Sequence, residues 1–578
     1  MDEHQELLHR AQTAFGEGRV AEVQRLLAAL PETGAPWDAY FLAGVAARLM
    51  GDYQAALKFL AQTVRCVPHP ELAANPWAET ARVYGALDDV DRSRAALDRA
   101  LQINPNLAGA WVDRAALELG QKNYPLVEEC LARATVLENE SARFHEVRAL
   151  LDIRHGRYRE AREHYRKARE IDPVSPEALR GSASLYAMQG ELEEARSDLE
   201  ELFEINPQFP ACRQYAQLCH FKVGDQRLDE WLKRLDSDED EALTVEQEVD
   251  LLFACAKALD DLGEYSRAFA CLERGNALRR STMDYSVDAV LEGHDSAWDR
   301  LAGEILAAAR QCGENSDLMT RRMVFIVGMP RSGSTLLEQM LAGHSRMQTI
   351  GETGLMARLM DMLMQLDPEK EGGDTSAALV RWFSDLRERY IKEVTRLASS
   401  GFQDCIIDKS LENFWYAGII KALFPESLVV HAKRDPMDTC FGCYRQLFAG
   451  TIQYSYTQDE LARYYRGYRK RMAEWADVFP ECMTDIYYEH LIAQPEHELT
   501  KLFNQLGLDF EQSCLDFAAS NRFVSTLSQI QVREPLNRSG VGRWKHYAQE
   551  LEPLRVAIDD LSMRYGEEAE QQEQERNS

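Results

Sequence analysis

The sequence predicts two folds in tandem, α + α/β: a solenoid of paired antiparallel helices, then an α/β domain built on a parallel sheet. Three observations carry this expectation. A glycine–alanine pattern recurs in the N-terminal half with spacings of 34 residues. A short β-branched run followed by a Gly/Ser-rich turn opens the C-terminal half. And at 578 residues the chain is too long for a single hydrophobic core.

The repeat comes first along the chain. Gly51-Asp52-Tyr53 is followed by Ala56, Gly156-Arg157-Tyr158 by Ala161, Gly190 by Ala195, and Gly263-Glu264-Tyr265 by Ala268. Gly156, Gly190 and Gly224 stand 34 residues apart, and Asn104-Pro105, Asp172-Pro173 and Asn206-Pro207 close units. Small residues (Gly44, Ala149, Ala183, Ala256) lie seven positions before four of the glycines. Glycine permits the turn between two helices, alanine lets them approach closely, and proline stops the second. The unit around Gly120 departs from the pattern, with Pro125 at the alanine position. The pattern predicts about seven helix pairs over residues 1–275, followed by a helical connector over 276–320. Stacked pairs of this kind resemble tetratricopeptide repeats, which form a concave surface for a protein or peptide.

The net charge is −29, of which −21 falls on residues 1–320 and −8 on residues 321–578. An acidic N-terminal half repels phosphate backbones, which argues against a nucleic-acid partner. No apolar run reaches membrane-spanning length, and the start Met-Asp-Glu-His-Gln-Glu is unlike a signal peptide. These features predict a cytoplasmic protein with no membrane partner. Twelve scattered cysteines suit reduced thiols. Cys440-x-x-Cys443 has no second pair or spaced histidines beside it, so no metal site is expected.

The α/β domain is expected over 321–560. Met323 to Gly328 (Met-Val-Phe-Ile-Val-Gly) reads as a buried parallel strand, then Met329-Pro330-Arg331-Ser332-Gly333-Ser334-Thr335 leads into a helix. Strand, Gly-rich turn and helix N-terminus form a phosphate cradle, because free backbone N–H groups converge on an anion. Gly328 and Gly333 fit the spacing of a nucleoside-triphosphate loop, yet Ser334 occupies its lysine position, which disfavours ATP or GTP turnover. Three later segments follow in order. Cys405-Ile406-Ile407 leads to Asp408-Lys409-Ser410, Phe424 to His431 leads to Arg434-Asp435-Pro436, and Gln531 to Pro535 precedes Gly540-Val541-Gly542-Arg543-Trp544. Strand ends are where open parallel sheets bind ligands.

These segments together resemble the phosphoadenosine-phosphosulfate sulfotransferases, most closely the tyrosylprotein branch joined to tetratricopeptide repeats. The resemblance implies a P-loop-like domain with no metal, whose co-substrate is 3′-phosphoadenosine 5′-phosphosulfate. Carried over by position, Arg331, Ser332, Gly333, Ser334 and Thr335 hold the 5′-phosphosulfate and Arg434 the 3′-phosphate. Tyr488, Arg543 and Ser528 fall on further donor contacts. Gly442 stands where the family carries a serine, so one hydroxyl donor to the 3′-phosphate is missing. Glu352, in Ile350-Gly351-Glu352-Thr353, falls on the glutamate base of the branch, with His344 as the rival. Lys409 and Arg331 would offset charge on the transferred group. The reading is sulfuryl transfer to a hydroxyl, a protein tyrosine in first place, with the repeats holding the polypeptide acceptor. Its alternative is a repeat scaffold with a weakened domain. Tyr464 to Lys470 reads as a helix with a solvated basic face, and the Glu/Gln-rich tail, 561–578, as disordered.

Overall fold

The computed structural model describes residues 3–17, 19–27, 34–121, 123–137, 140–207, 209–236, 243–301, 303–314, 322–364, 375–398, 404–448, 450, 452–479, 483–517, 536, 538 and 540–577. Two compact units result: Met1–Leu185 with Ser197–Pro207, and Tyr186–Arg196 with Gln208–Ser578.

The first unit is helical. Pairs such as Trp37–Leu49 with Tyr53–Cys66, and Ala142–Arg154 with Tyr158–Ile171, follow the glycine–alanine pattern. The reason is visible at Gly44: a Cβ there would stand 2.8 Å from Leu60, so only glycine allows that approach. Ala56, Ala149 and Ala161 are fully buried. Two departures from the pattern have local explanations. Pro125 sits in the first turn of the helix Tyr124–Val136, where its missing N–H costs nothing. A pair the glycine search passes over, Ala74–Ala86 with Val90–Ile103, turns at Asp88 in the left-handed region (φ 58). Short acidic side chains tolerate that conformation.

The second unit opens with helices, among them Val245–Asp261 and Tyr265–Ser281. The sheet follows: β1 (Arg322–Gly328), β2 (Met347–Thr349), β3 (Cys405–Asp408), β4 (Leu428–Lys433) and β5 (Met483–Tyr487). The order is β2-β3-β1-β4-β5 and every pair is parallel. Central β1 has Met323 to Val327 buried, as expected for a strand covered on both faces. Val324, Ile326, Val430 and Ile486 pack with Leu337, Met340, Leu502 and Phe503 in one core.

The helix pair Val245–Asp261 and Tyr265–Ser281 belongs to the same compact unit as the sheet. Asn276, fully buried, donates to the Tyr444 carbonyl at 3.0 Å, and Arg280 pairs with Glu460 at 2.8 Å. The expected disordered tail is instead a helix, Asp559–Asn577. Composition misleads there because a few side chains anchor it. Tyr565 donates to Glu489, and Glu568 accepts from Lys433 and, at 2.9 Å, from Arg469. The basic face of the helix Gln458–Val478 is exposed, and it is paired as well. Arg463 meets Asp288 at 2.7 Å, Lys470 meets Asp295 at 2.8 Å, and Arg466 meets Asp560. Tyr464, Tyr465 and Tyr468 are buried beneath it. Among the described residues no helix is long and apolar enough to cross a membrane.

Candidate functional site

Each of the five strands delivers a candidate residue just past its C-terminal end: β1 the loop to Thr335, β2 Glu352, β3 Lys409, β4 Arg434 and β5 Tyr488. The sheet therefore brings together residues far apart in sequence at the edge where ligands bind.

The loop after β1 is sharply bent. Arg331 has φ 69 and Gly333 φ 88, both left-handed, and the helix Ser334–Leu341 starts directly after. Glycine at 333 is required twice over, since a Cβ would also overlap the Tyr488 ring. Ser332 is buried, and among the described residues its hydroxyl has no hydrogen-bond partner. A buried hydroxyl short of a partner, at the turn that leads into a helix N-terminus, suits a phosphate oxygen.

Arginines gather beside this loop. Arg434 donates to the Arg331 carbonyl at 3.0 Å and to the Gly540 carbonyl, and it lies 4.6 Å from the Tyr488 ring centroid. Among the described residues its buried Nε has no hydrogen-bond partner. Burial, then the charges of Arg434 and Arg445, push the Arg331 guanidinium down to about 10. Cations crowded this way favour a bound anion.

Gly442 lies directly against Arg331: a Cβ at 442 would stand 2.9 Å from the Arg331 Cβ. The space a serine would need is occupied. Its neighbours Cys440 and Cys443 are both fully buried, and Cys443 lies 3.3 Å from the Pro330 carbonyl, as packed thiols. Burial pushes the Cys443 thiol up to about 12, far from a reactive thiolate.

Lys409, fully buried, reaches Glu352 at 2.5 Å, Thr335 at 3.4 Å and Glu338 at 3.5 Å. Burial opposes its charge, but the carboxylates of Glu338 and Glu352 outweigh it and raise the ammonium above its ordinary value. Glu352 differs from Glu338 in access: its side chain is 54% exposed against 5%. The loop bearing Glu352 is tied to β3. Lys409 N–H donates to Gly351 at 3.1 Å, and Gly354 N–H to Ser410 at 3.0 Å. Ser410 in turn donates to buried Asp408 at 2.6 Å, as does Tyr390. The sequence reading passed over Glu338 and Asp408. Glu338 sits mid-helix with no motif spacing, while Asp408 adjoins Lys409 at a strand end, a position that could have signalled it.

His344 is elsewhere. One ring nitrogen accepts from Arg346 N–H at 3.1 Å and the other bonds the Asp509 carbonyl at 3.0 Å, so it braces the turn before β2. Arg543 pairs with Asp260, and its segment is held by Asp438, which accepts from the N–H groups of Gly542 and, at 3.2 Å, Trp544. Ser528 and Gln531 to Pro535 lie outside the described residues.

Comparison with known proteins adds a family to this geometry. An uncharacterized protein of Aquifex aeolicus (strain VF5) is 27% identical over 404 residues, 68% of this chain and 52% of that protein. The chain thus spans about half the length of that relative. Protein-tyrosine sulfotransferase 2 of Gallus gallus is 22% identical over 254 residues, covering 38% of this chain and 62% of that one. Among solved structures, the sulfotransferase domain from the Synechococcus PCC 7002 olefin synthase shares 20% identity at a TM-score of 0.31, over 43% of this chain and 97% of its own. Residues 147–209 match the family model for the tetratricopeptide repeat, and residues 323–512 match that of the sulfotransferase family. The chain carries tetratricopeptide repeats and, after them, a sulfotransferase-family domain.

Proposed function

We propose that the domain transfers a sulfuryl group from 3′-phosphoadenosine 5′-phosphosulfate to a hydroxyl, a protein tyrosine in first place, with the repeats holding the polypeptide. One observation carries the reading. An anion loop with an orphaned buried hydroxyl converges with Arg434, Tyr488 and a Lys409–Glu352 pair at one sheet edge. The donor supplies an activated sulfuryl group and a bisphosphate leaving group. Arg331 to Thr335 cradle its 5′-phosphosulfate, and Arg434 takes the 3′-phosphate. Lys409 meets the charge that develops as the sulfur–oxygen bond to phosphate breaks.

Glu352 holds the position of base. Its half-exposed carboxylate faces outward while Lys409 fixes one oxygen, so the acceptor hydroxyl can approach from solvent and leave its proton there. His344 does not compete, because both ring nitrogens are engaged in bracing a turn. The protein acceptor rests on the repeats at residues 147–209 and on the tyrosine-directed relative.

Calorimetry with 3′,5′-bisphosphoadenosine on the full chain tests the donor. Binding of this ligand and none of Mg-ATP is expected, and the reverse pattern overturns the reading. Glu352→Gln should keep bisphosphate affinity and slow labelled sulfuryl transfer to a tyrosine peptide roughly 10²–10⁴-fold, with His344→Ala retaining most activity. An active Glu352→Gln removes the base from this position.

A further inference from the structure

Arg543 lies in a segment docked on Arg434 and Asp438. The Gly540 carbonyl accepts from Arg434, Gly542 and Trp544 N–H groups are fixed by Asp438, and the guanidinium leaves toward the helix Val245–Asp261. What it meets is Asp260, whose side chain is 3% exposed. One carboxylate oxygen takes Arg543 and, at 2.8 Å, Arg445, and the other accepts from the Tyr547 hydroxyl. The three side chains that bond the Asp260 carboxylate, Arg445, Arg543 and Tyr547, all lie well past the sheet's first strand, although Asp260 belongs to a helix of the glycine–alanine pattern.

This arrangement is costly unless something uses it. A carboxylate removed from water needs good partners, and Asp260 has three. Burial opposes its charge, but the two arginines and the tyrosine hold it below the ordinary carboxylate range. Among the described residues the buried Arg543 Nε has no hydrogen-bond partner. The carboxylate thus satisfies one end of the guanidinium and leaves a donor unsatisfied. An arginine pinned at one nitrogen and short of an acceptor at another is prepared for a second anion.

We infer that Asp260 is a positioning residue of the donor site, supplied by the last helix pair of the array. It fixes Arg543, and through it the segment 540–544, for the donor's phosphate end. The inference rests on the sulfotransferase reading above and adds to it a residue outside the matched domain. Without Asp260, Arg543 and Arg445 would repel each other and the Arg543 head group would lose its orientation.

The test is calorimetry with 3′,5′-bisphosphoadenosine on full-length variants. Asp260→Asn, which keeps shape and removes charge, should weaken binding roughly tenfold, about the worth of one charge-assisted hydrogen bond. Arg543→Ala should weaken it by a similar factor. The combined variant should bind no worse than Arg543→Ala alone, because Asp260 acts through that side chain. Asn276→Ala cuts a different buried link of the same helix pair, and should lower the melting temperature while leaving affinity intact. Should Asp260→Asn fail to fold, Tyr547→Phe removes only one donor to Asp260 and should give a milder loss of affinity. Multiplying losses in the combined variant, or affinity that tracks melting temperature through Asn276→Ala, overturns the inference. A wild-type chain that does not bind the bisphosphate refutes the sulfotransferase reading instead. Wild-type binding that Asp260→Asn leaves unchanged overturns the positioning role alone.

Discussion

Replacing Lys409 by methionine separates the two carboxylates that share it. The two geometries differ more in solvent than in distance. Glu338 stands 3.5 Å from the ammonium with its side chain 5% exposed, and Glu352 stands 2.5 Å away with 54% exposed. A pair at such a distance and an effective dielectric near 20 interacts by about 5 kcal/mol, and stranding one buried partner costs about 3–5 kcal/mol. The exposed partner swings into water and contributes about 0–1 kcal/mol. Lys409→Met should therefore destabilise the sheet by about 3–5 kcal/mol, nearly all of it through Glu338. Glu352→Gln should cost less than about 1 kcal/mol. The combined Lys409→Met/Glu338→Gln should recover most of the loss, since it leaves a neutral amide still able to accept from Thr349. The sign with pH follows from the raised ammonium. Its contribution is complete below the ordinary lysine value of 10.5 and disappears as pH climbs through the higher folded value. Amide hydrogen exchange in β1 and β3 reads this unit without interference from the repeats. If Glu352→Gln opens those strands as far as Lys409→Met, or Glu338→Gln rescues nothing, the division between a structural and an accessible carboxylate is wrong.

Gly442→Ser, which would restore the hydroxyl of the resembled family, should weaken bisphosphate binding, because its Cβ would come within 2.9 Å of the Arg331 Cβ and displace that side chain. Tighter binding by calorimetry would show that Arg331 yields without cost. Burial pushes the Asp435 carboxyl up to about 6 from 3.8, so its ionised form weakens the fold above that range. Asp435→Asn keeps an acceptor for Asp438 N–H and should be stabler than wild type by about 1 kcal/mol or more at pH 7. That gap should narrow as pH falls from 6 toward 3.8 in urea titrations, and a gap that ignores pH refutes the assignment. A fragment beginning at residue 321 loses Asp260, Asn276 and Arg280 and should aggregate, while one beginning at 243 should give a cooperative melt; equal behaviour would show the helix pair to be dispensable.

How much of this was legible depended on whether a residue's role is written in its neighbours. β1, the turn and the following helix are local, so Arg331 to Thr335 could be placed from the sequence. Lys409 and Arg434 each follow an apolar run, and the parallel sheet puts both at its ligand edge. Glu338 has no such flag. It lies within a helix, and only the crossover that sets β3 beside β1 brings Lys409 over it. Gly442 was visible as a departure but not as a contact, since the side chain filling its space belongs to a loop more than a hundred residues earlier. Asp88 escaped the glycine search because an acidic residue can hold a left-handed turn.

Charge was the most misleading guide, and the structure shows why. Composition reports how many acidic residues a segment carries, not how many face water. Asp288 and Asp295, in a stretch expected only to connect, lie against Arg463 and Lys470. Glu568, in a tail whose Glu/Gln content suggests disorder, settles on Lys433 and Arg469. Each pair alone is weak at a surface, but Lys433 is 5% exposed and Arg469 12%, and removing their anion would strand cations away from water. The same logic makes Asp260 the sharpest case. By sequence it is one more acid in an acidic array, and by structure it is the counter-charge for two arginines 185 and 283 residues away. A boundary drawn where the repeat pattern ends would separate Asp260 from both of these arginines, so the glycine–alanine spacing alone does not show which charges depend on one another.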